Sequence, residues 1–331
     1  MGSHHDCICG RLKRTRGKSP RGGPPCPKNP LESWPGPGKV RGMARIAIVG
    51  VGAIGSVVAA LLEEAGHEVL LCVRRPLPEL TIERASGPVK VLARRLVDPS
   101  GAPAVDWILV ATKAYDVPAA AAWLAPLGAK GCPVAVLQNG VEHRERFEPY
   151  VAKGRIVPVV VDCPVERPQP STVRQRGVMH LKVADDANGR AFVKLFAGTT
   201  ADAATTGDFT TAVWIKLCKN SAGVVNALLL QPTRVFKDEL VAQTARQIVR
   251  ECIAVGRAEG AVLDDSLADS IVEGARASPP DSVNSLQADR AAGRKTEIDA
   301  RNGAIVRIGA RHGIPTPCNQ MSVALLVAMG G

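Results

Sequence analysis

The chain has 331 residues, enough for two domains of ordinary size, and 46% hydrophobic with 22% charged residues is typical of a globular protein. No apolar run approaches the roughly 18 residues that a membrane-spanning helix requires, so we expect no membrane partner. The formal net charge of +11 would favour nucleic-acid binding if it were spread over the whole surface, which makes its position along the chain decisive.

The positive charge is concentrated at the N terminus. Residues 1–42 carry nine Lys and Arg side chains against two acidic ones, whereas the rest of the chain carries only +4. This stretch is rich in proline and glycine and lacks the apolar periodicity of a folded segment. We expect a disordered leader without function, and no nucleic-acid partner. The alternatives are a nucleic-acid or targeting tail and a metal cluster that would use His4, His5, Cys7 and Cys9.

The cysteines bear on the cellular compartment. The chain has nine, at spacings that suit neither a zinc site nor a small disulfide scaffold. The leader also lacks the apolar segment of a secretory signal peptide. We interpret most of the cysteines as buried thiols and expect a cytoplasmic protein without a metal site.

The first motif is the apolar, β-branched run RIAIVGVGAIG, which predicts a strand, a tight turn and a helix. Gly50, Gly52 and Gly55 have the G-x-G-x-x-G spacing of a dinucleotide site, in which they allow the turn, the approach of the pyrophosphate and close helix packing. The run continues as the helix-forming segment Ser56–Glu64, whose free N–H groups would face the phosphates, and Ala53 and Ile54 in the turn are expected cofactor contacts. An ordinary βα turn is the alternative.

The end of the second strand, Glu68–Val73, bears on the choice of cofactor. NAD-binding proteins place an acidic residue here to hold the ribose 2′-hydroxyl, but this chain has Arg74 and Arg75. Two guanidinium groups match a 2′-phosphate, so the sequence favours NADPH over NADH. A solvated basic turn is the alternative.

Two further strands end in polar residues that could reach a ligand. The strand Trp107–Ala111 runs into Lys113, and the strand Val134–Leu137 runs into Asn139. Ligands of open α/β sheets bind at the carboxyl ends of the strands. We therefore expect Lys113 to contact the cofactor and the Asn139 amide to reach the nicotinamide ribose or the substrate. A solvated loop lysine and a plain Asn-Gly turn are the alternatives.

The remaining patterns predict two domains. Leu80–Arg84 and Val89–Leu96 are expected to form irregular or hairpin strands, Ile156–Val161 a further strand, and residues 177–183 and 199–204 an edge of the sheet. From Thr210 onward the patterns are helical, over Ala212–Leu230, Leu240–Glu259, Asp265–Ala275, Ile298–His312 and Asn319–Met329. We predict an N-terminal Rossmann-type α/β domain over residues 43–207 and an all-α domain over residues 208–331.

Lys216 and Asn220 lie four residues apart near the start of the first long helix, so they share one face. A lysine and an amide on one face could polarise a carbonyl group. Burial would lower the pKa of Lys216 towards that of a useful general acid. Lys219 points elsewhere and is expected at the surface.

A polar segment follows near the C terminus. It includes Ser285 and Asp289, and then Thr296, Glu297 and Asp299. Taken alone, these residues are typical of a helix cap and a solvated helix face, so their types and spacing by themselves do not define a site.

Taken together, these motifs resemble the ketopantoate reductase (2-dehydropantoate 2-reductase) family, and the likeness extends from Met43 to the end of the chain. In order, the matching segments are Gly50–Gly55, Arg74, Thr112-Lys113, Gln138-Asn139-Gly140, Trp214-x-Lys216 with Asn220, Ser285–Asp289 and Thr296–Asp299. The resemblance implies a Rossmann-type domain followed by an all-α domain of the 6-phosphogluconate dehydrogenase C-terminal type. It also implies NADPH as hydride donor and reduction of ketopantoate to pantoate, a step towards coenzyme A.

The resemblance also implies roles for individual residues. Lys216 resembles the general acid that protonates the carbonyl oxygen, and Glu297 resembles the carboxylate that holds the substrate hydroxyl. Asn220 and Ser285 resemble substrate contacts, and Asn139 resembles the amide near the nicotinamide. The partner would be a small 2-oxo acid, and a homodimer is compatible with the resemblance.

One position departs from the family pattern. The family usually has a second asparagine four residues after the first, where this chain has Val224, with Asn226 two places further on. On a regular helix Asn226 would lie almost opposite Val224 and could not replace the missing amide, unless the helix broke at Gly223. With a regular helix we expect a pocket with one polar contact fewer and an apolar wall.

Two other functions stay open at this point. A β-hydroxyacid dehydrogenase would share the architecture and the Lys-x-x-x-Asn pair, but its glycine-rich segment before that pair is missing, because residues 207–213 contain a single glycine. A catalytically silent NADPH-binding regulator is favoured only by Val224 and the basic leader.

Overall fold

The computed structural model describes residues 42–330, with strands β1–β13 and helices α1–α11 in chain order. The predicted leader lies outside the described residues except for Gly42, as does the metal cluster considered at its start. Within the described part, no helix is long and apolar enough to cross a membrane.

Six strands form a parallel sheet in the N-terminal half of the described chain. They are β1 (Arg45–Val49), β2 (Glu68–Cys72), β5 (Arg94–Leu96), β6 (Trp107–Val110), β7 (Val134–Val136) and β8 (Ile156–Pro158), in the spatial order β5-β2-β1-β6-β7-β8. The central strands are continuous apolar runs because both faces of the sheet are covered. The turns after β1, β6 and β7 therefore meet at one edge.

Helices cover the two faces of this sheet. Helix α1 (Ala53–Glu64) packs in one hydrophobic core and α2 (Val117–Leu127) in the other, while the short α3 (His143–Phe147) follows β7. Successive residues of β1 alternate between the two cores, with Ile48 on the α1 side and Val49 on the α2 side.

A second sheet of four strands packs beside α1. It contains β3 (Leu80–Arg84), β4 (Gly87–Val91), β10 (Val165–Gln169) and β11 (Thr172–Gln175), in the order β10-β11-β3-β4. The predicted strand Val89–Leu96 is divided: its first part pairs with β3, and Arg94–Leu96 joins the parallel sheet as β5. The division falls at Leu92, whose side chain is exposed.

A third sheet contains β9 (Val160–Asp162), β12 (His180–Ala184) and β13 (Asp202–Thr206), with α4 (Ala187–Lys194) between the last two. Two predictions are corrected here. The expected single strand Ile156–Val161 is two strands, because β8 ends at Pro158, which has no N–H to continue a ladder. The strands expected to complete an edge of the sheet form this separate sheet instead.

The C-terminal part is helical. Its helices are α5 (Phe209–Ala222), α6 (Val224–Leu229), α7 (Glu239–Ala258), α8 (Ser266–Ala277), α9 (Ser285–Ala291), α10 (Ala304–Arg311) and α11 (Pro317–Ala328). The predicted fold class, a parallel α/β domain followed by a helical domain, is confirmed. The predicted domain boundary at 207/208 falls between β13 and α5 and remains our working division.

Two predicted helices are interrupted. The helix expected over Ala212–Leu230 breaks at Gly223, where Asn284 Nδ2 donates a hydrogen bond to the Gly223 carbonyl at 3.0 Å. The helix expected over Ile298–His312 begins with a π-helical turn, Asp299–Gly303. Both irregularities lie beside the candidate site, as π-turns often do.

Candidate active site

The glycine-rich turn after β1 has the geometry that a dinucleotide requires. Gly50 has φ +97, and a Cβ on it would lie 2.6 Å from the Thr112 backbone nitrogen. A Cβ on Gly55 would lie 2.1 Å from the Gly50 carbonyl oxygen. In contrast, no atom lies within 4 Å of the Cβ position of Gly52, so open space remains where a pyrophosphate would approach.

The start of α1 offers unpaired backbone donors to that space. Gly52 is the N-cap and has no side chain to satisfy the first-turn N–H groups, and Ala53 and Ile54 follow it. Arg167 of the β10–β11 hairpin donates a hydrogen bond to the Val51 carbonyl and brings a guanidinium to the turn. The sequence analysis missed this arginine, because its position in an edge hairpin carries no local motif.

Arg74 and Arg75 follow β2 at the rim of the same region, and both are exposed. Arg74 Nη1 lies 3.7 Å from Asp116 Oδ1, but 76% of its side chain remains exposed. Arg75 forms no salt bridge with any residue in the range 42–330. Both guanidinium groups are therefore accessible to a phosphate on the adenosine ribose.

Lys113 joins the parallel sheet to the helical part. Its Nζ lies 2.7 Å from Asp289 Oδ2 and 3.0 Å from Glu297 Oε2. Burial would lower the pKa of Lys113, but the two carboxylates outweigh it and raise the pKa above its usual value. Lys113 thus forms two ion pairs and is not a solvated loop lysine.

Glu297 is buried at the centre of a polar chain. Besides Lys113, its carboxylate accepts hydrogen bonds from the Ala114 N–H at 3.0 Å and from Asn139 Nδ2 at 3.1 Å. Asn139 Oδ1 in turn accepts from Asn220 Nδ2 at 3.2 Å. Four residues that the sequence analysis singled out are thereby brought together from both halves of the chain.

Lys216 lies on α5 beside this chain. Its Nζ is 2.9 Å from Asp162 Oδ1 on β9, and 21% of its side chain is exposed. Burial lowers its pKa, as the sequence analysis predicted, with Lys219 and Arg301 acting in the same direction and Asp162 opposing them. Lys216 and Asn139 also line one small cavity. The sequence analysis did not identify Asp162, because a lone aspartate at the end of a strand matches no sequence motif.

Ser285 is the first residue of α9 and is exposed. The helix cap is its neighbour Asn284, whose side chain accepts the Gln287 N–H at 3.0 Å and also reaches Gly223. The structure therefore brings Ser285 to the break between α5 and α6. Its hydroxyl makes no hydrogen bond to Asn220 or Glu297.

Val224 does not line the cavity. It is 0% exposed and packs in a hydrophobic core with Phe236 and Leu286. The apolar pocket wall was expected only for a regular helix, and that condition is not met, because the helix breaks at Gly223. Asn226 is also buried, and its amide bonds the Gln231 carbonyl and the Asn284 side chain.

No group of three His, Cys, Asp or Glu side chains within residues 42–330 is placed to hold a metal ion. The candidate site is instead a glycine-rich turn at one end and a set of lysine, amide and carboxylate side chains at the other. This is the arrangement expected when an organic cofactor supplies the redox chemistry and the protein supplies proton transfer and orientation.

Comparison with known proteins assigns the chain to a family. The model described as Ketopantoate reductase PanE/ApbA matches residues 46–188, and its C-terminal counterpart matches residues 208–330. The chain belongs to the ketopantoate reductase family. It is 49% identical over 287 residues to the 2-dehydropantoate 2-reductase of Caulobacter vibrioides, covering 86% of this chain and 99% of that one.

Further relatives agree. The 2-dehydropantoate 2-reductase of Mycobacterium tuberculosis (strain H37Rv) is 40% identical, over 86% of this chain and 97% of its own. The crystal structure of a PanE/ApbA family ketopantoate reductase from Ralstonia eutropha JMP134 has a TM-score of 0.79 and 33% identity, covering 86% of this chain and 98% of that one. As a member of this family, the protein is an oxidoreductase acting on a CH–OH group with a nicotinamide dinucleotide. A β-hydroxyacid dehydrogenase is not favoured.

Proposed function

We propose that this protein reduces ketopantoate to pantoate with NADPH, on the route to coenzyme A. One observation carries the proposal: Lys216 and Asn139 line one cavity, and Asn139 is hydrogen-bonded to both Glu297 and Asn220. A proton donor, two amides and a carboxylate are therefore available to a small hydroxylated 2-oxo acid.

Lys216 acts as the general acid in this proposal. The bound cofactor supplies the hydride that adds to the carbonyl carbon. Negative charge then builds on the carbonyl oxygen, and the Lys216 ammonium stabilises that charge and donates a proton to the oxygen. Burial assists because it lowers the pKa of Lys216 and makes the ammonium a stronger acid.

Glu297 and the amides orient the substrate. The Glu297 carboxylate accepts a hydrogen bond from the substrate hydroxyl, while Lys113 and the Ala114 N–H hold its orientation. Asn220 and Asn139 contact the substrate from the other side, with Asn139 also near the nicotinamide. Ser285 reaches the substrate from the start of α9.

The preference for NADPH rests on the two arginines after β2. The pyrophosphate binds at Gly50, Gly52 and Gly55, and the ribose 2′-phosphate extends towards Arg74 and Arg75. Their exposed guanidinium groups can pair with that phosphate through charge-assisted hydrogen bonds.

The test is steady-state NADPH oxidation with a panel of 2-oxo acids that includes ketopantoate. The proposal predicts the highest kcat/KM for ketopantoate. A higher kcat/KM for another 2-oxo acid would indicate that this acid, and not ketopantoate, is the substrate. Binding of NADPH without turnover of any acid would favour the silent regulator.

We also propose that the protein is a homodimer located in the cytoplasm. Helix α11 exposes the apolar side chains of Met321, Leu325 and Val327, which a second copy of the chain would cover. The six described cysteines are all free thiols, as in the reducing cytoplasm. Light scattering should give the molar mass of a homodimer, and a monomer mass would contradict this part of the proposal.

A further inference from the structure

Arg301 stands on the π-helical turn and is the single Lys or Arg side chain among residues 42–330 that is buried, at 2% exposure. Its Nη2 donates a hydrogen bond to the Asn220 carbonyl, and its buried Nε has no partner. No carboxylate in the described part of the chain forms a salt bridge with it. A buried cation without a counter-ion is costly, so this position needs a further explanation.

The charge persists at neutral pH. Burial lowers the pKa of Arg301 to about 10, with Glu297 and Asp289 opposing the shift. Those two carboxylates do not neutralise it by contact, because Lys113 already holds both of them. Lys216, with 21% of its side chain exposed, is by contrast paired with Asp162.

The surroundings of Arg301 are the residues proposed to bind substrate. It contacts Asn220 directly, and a Cβ on Gly223 would lie 3.3 Å from its Nη2 and 3.0 Å from Asn284 Nδ2. Asn284 is the residue before Ser285. Arg301 therefore lies where the ends of α5 and α9 meet.

Glu297 and Arg301 are both linked to Asn220, one of the residues proposed to bind the substrate. Glu297 lies just before the π-helical turn that carries Arg301, and it reaches Asn220 through Asn139, whereas Arg301 bonds Asn220 directly. Ketopantoate has a four-carbon chain with a carboxylate at one end and a hydroxyl at the other. In this pose the hydroxyl would face Glu297 and the carboxylate would face Arg301, with the ketone between them near Lys216.

We propose that Arg301 binds the carboxylate of the 2-oxo acid and is the residue that makes the enzyme select acids over uncharged ketones. This inference rests on the proposed function. A guanidinium is suited to the role because it presents parallel donors to a carboxylate. In the absence of substrate the same group caps the C-terminal end of α5 through the Asn220 carbonyl.

The experiment compares a 2-oxo acid with its methyl ester, which lacks the charge, at saturating NADPH. Arg301→Met should lower kcat/KM for the acid on the order of 10- to 100-fold, the loss expected for a charge-assisted pair, and leave the ester within about twofold of wild type. Arg301→Lys keeps the charge and should retain most of the preference for the acid. Arg311→Met, an exposed arginine at the end of α10, is the matched control.

The outcomes separate the possibilities. An equal loss for acid and ester in Arg301→Met would mean that the arginine only caps α5, and an unchanged acid-to-ester ratio in both variants would also overturn the inference. If Arg301→Met does not fold, loss of the acid preference in the folded Arg301→Lys would overturn it. Failure of the wild type to reduce any 2-oxo acid would instead refute the proposed function itself.

Discussion

The Nζ of Lys216 and the Oδ1 of Asp162 lie 2.9 Å apart, so the proposed general acid on α5 is paired with a carboxylate on β9 of the three-stranded sheet. Asp162 raises the pKa of Lys216 against the lowering effect of burial, Lys219 and Arg301. The balance of these groups sets the pH at which the ammonium loses its proton. In the proposed mechanism this balance therefore sets the alkaline limit of the reaction.

Asp162→Asn should move that limit to lower pH. A general acid must be protonated, so kcat/KM falls as the pH rises through the pKa of Lys216. Without the carboxylate this pKa drops further, and the alkaline limb of the pH–rate profile shifts towards neutrality. Asp202→Asn, on β13 of the same sheet and paired with His180, is the matched control. An unmoved limb in Asp162→Asn would show that the ion pair does not persist in the working enzyme.

Lys216→Ala tests the general acid directly. Turnover should fall by roughly 10² to 10⁴ while NADPH still binds, since the lost group acts on the reacting oxygen. Lys219→Ala is the comparison, because Lys219 lies on the same helix with 55% of its side chain exposed and lies 3.8 Å from the same aspartate. NADPH binding by fluorescence and turnover by absorbance distinguish the two. Near-normal turnover in Lys216→Ala would remove this lysine from the mechanism.

Replacing Arg74 and Arg75 together by alanine tests the cofactor preference. A 2′-phosphate that loses its cationic partners loses contacts worth roughly 1.5 to 3 kcal/mol. The Kd for NADPH should therefore rise by at least about tenfold while the Kd for NADH stays close to wild type. Equal weakening of both cofactors would indicate a disturbed fold.

The features that the sequence predicted correctly are those that depend on local residue spacing. The glycine spacing predicted the turn at Gly50, and the four-residue spacing placed Lys216 and Asn220 on one face. It could not predict Asp162 or Arg301, because each acquires its role from a partner many residues away. Asp162 meets Lys216 only after the chain has crossed from β8 to β9, and Arg301 meets Asn220 only through the packing of the π-helical turn.

The break at Gly223 shows why helical periodicity misled at Val224. For a regular helix we expected Val224 to face the pocket, but Asn284 bonds the Gly223 carbonyl and the chain restarts as α6. Val224 consequently points into a core, and Asn226 points towards Asn284. Tertiary contacts break the helix here, although the segment contains no proline.

Val224→Asn provides the test of this packing. A family asparagine restored at this position would improve selection for ketopantoate if the side chain faced the substrate. Since Val224 is 0% exposed, the amide would instead be buried without an assured partner, which costs roughly 1 to 3 kcal/mol. We expect a lower free energy of unfolding in urea and an unchanged ratio of kcat/KM between ketopantoate and a 2-oxo acid without the hydroxyl. Val283→Asn, at an exposed valine, should change neither, and a ratio that rose in Val224→Asn would place this side chain in the pocket.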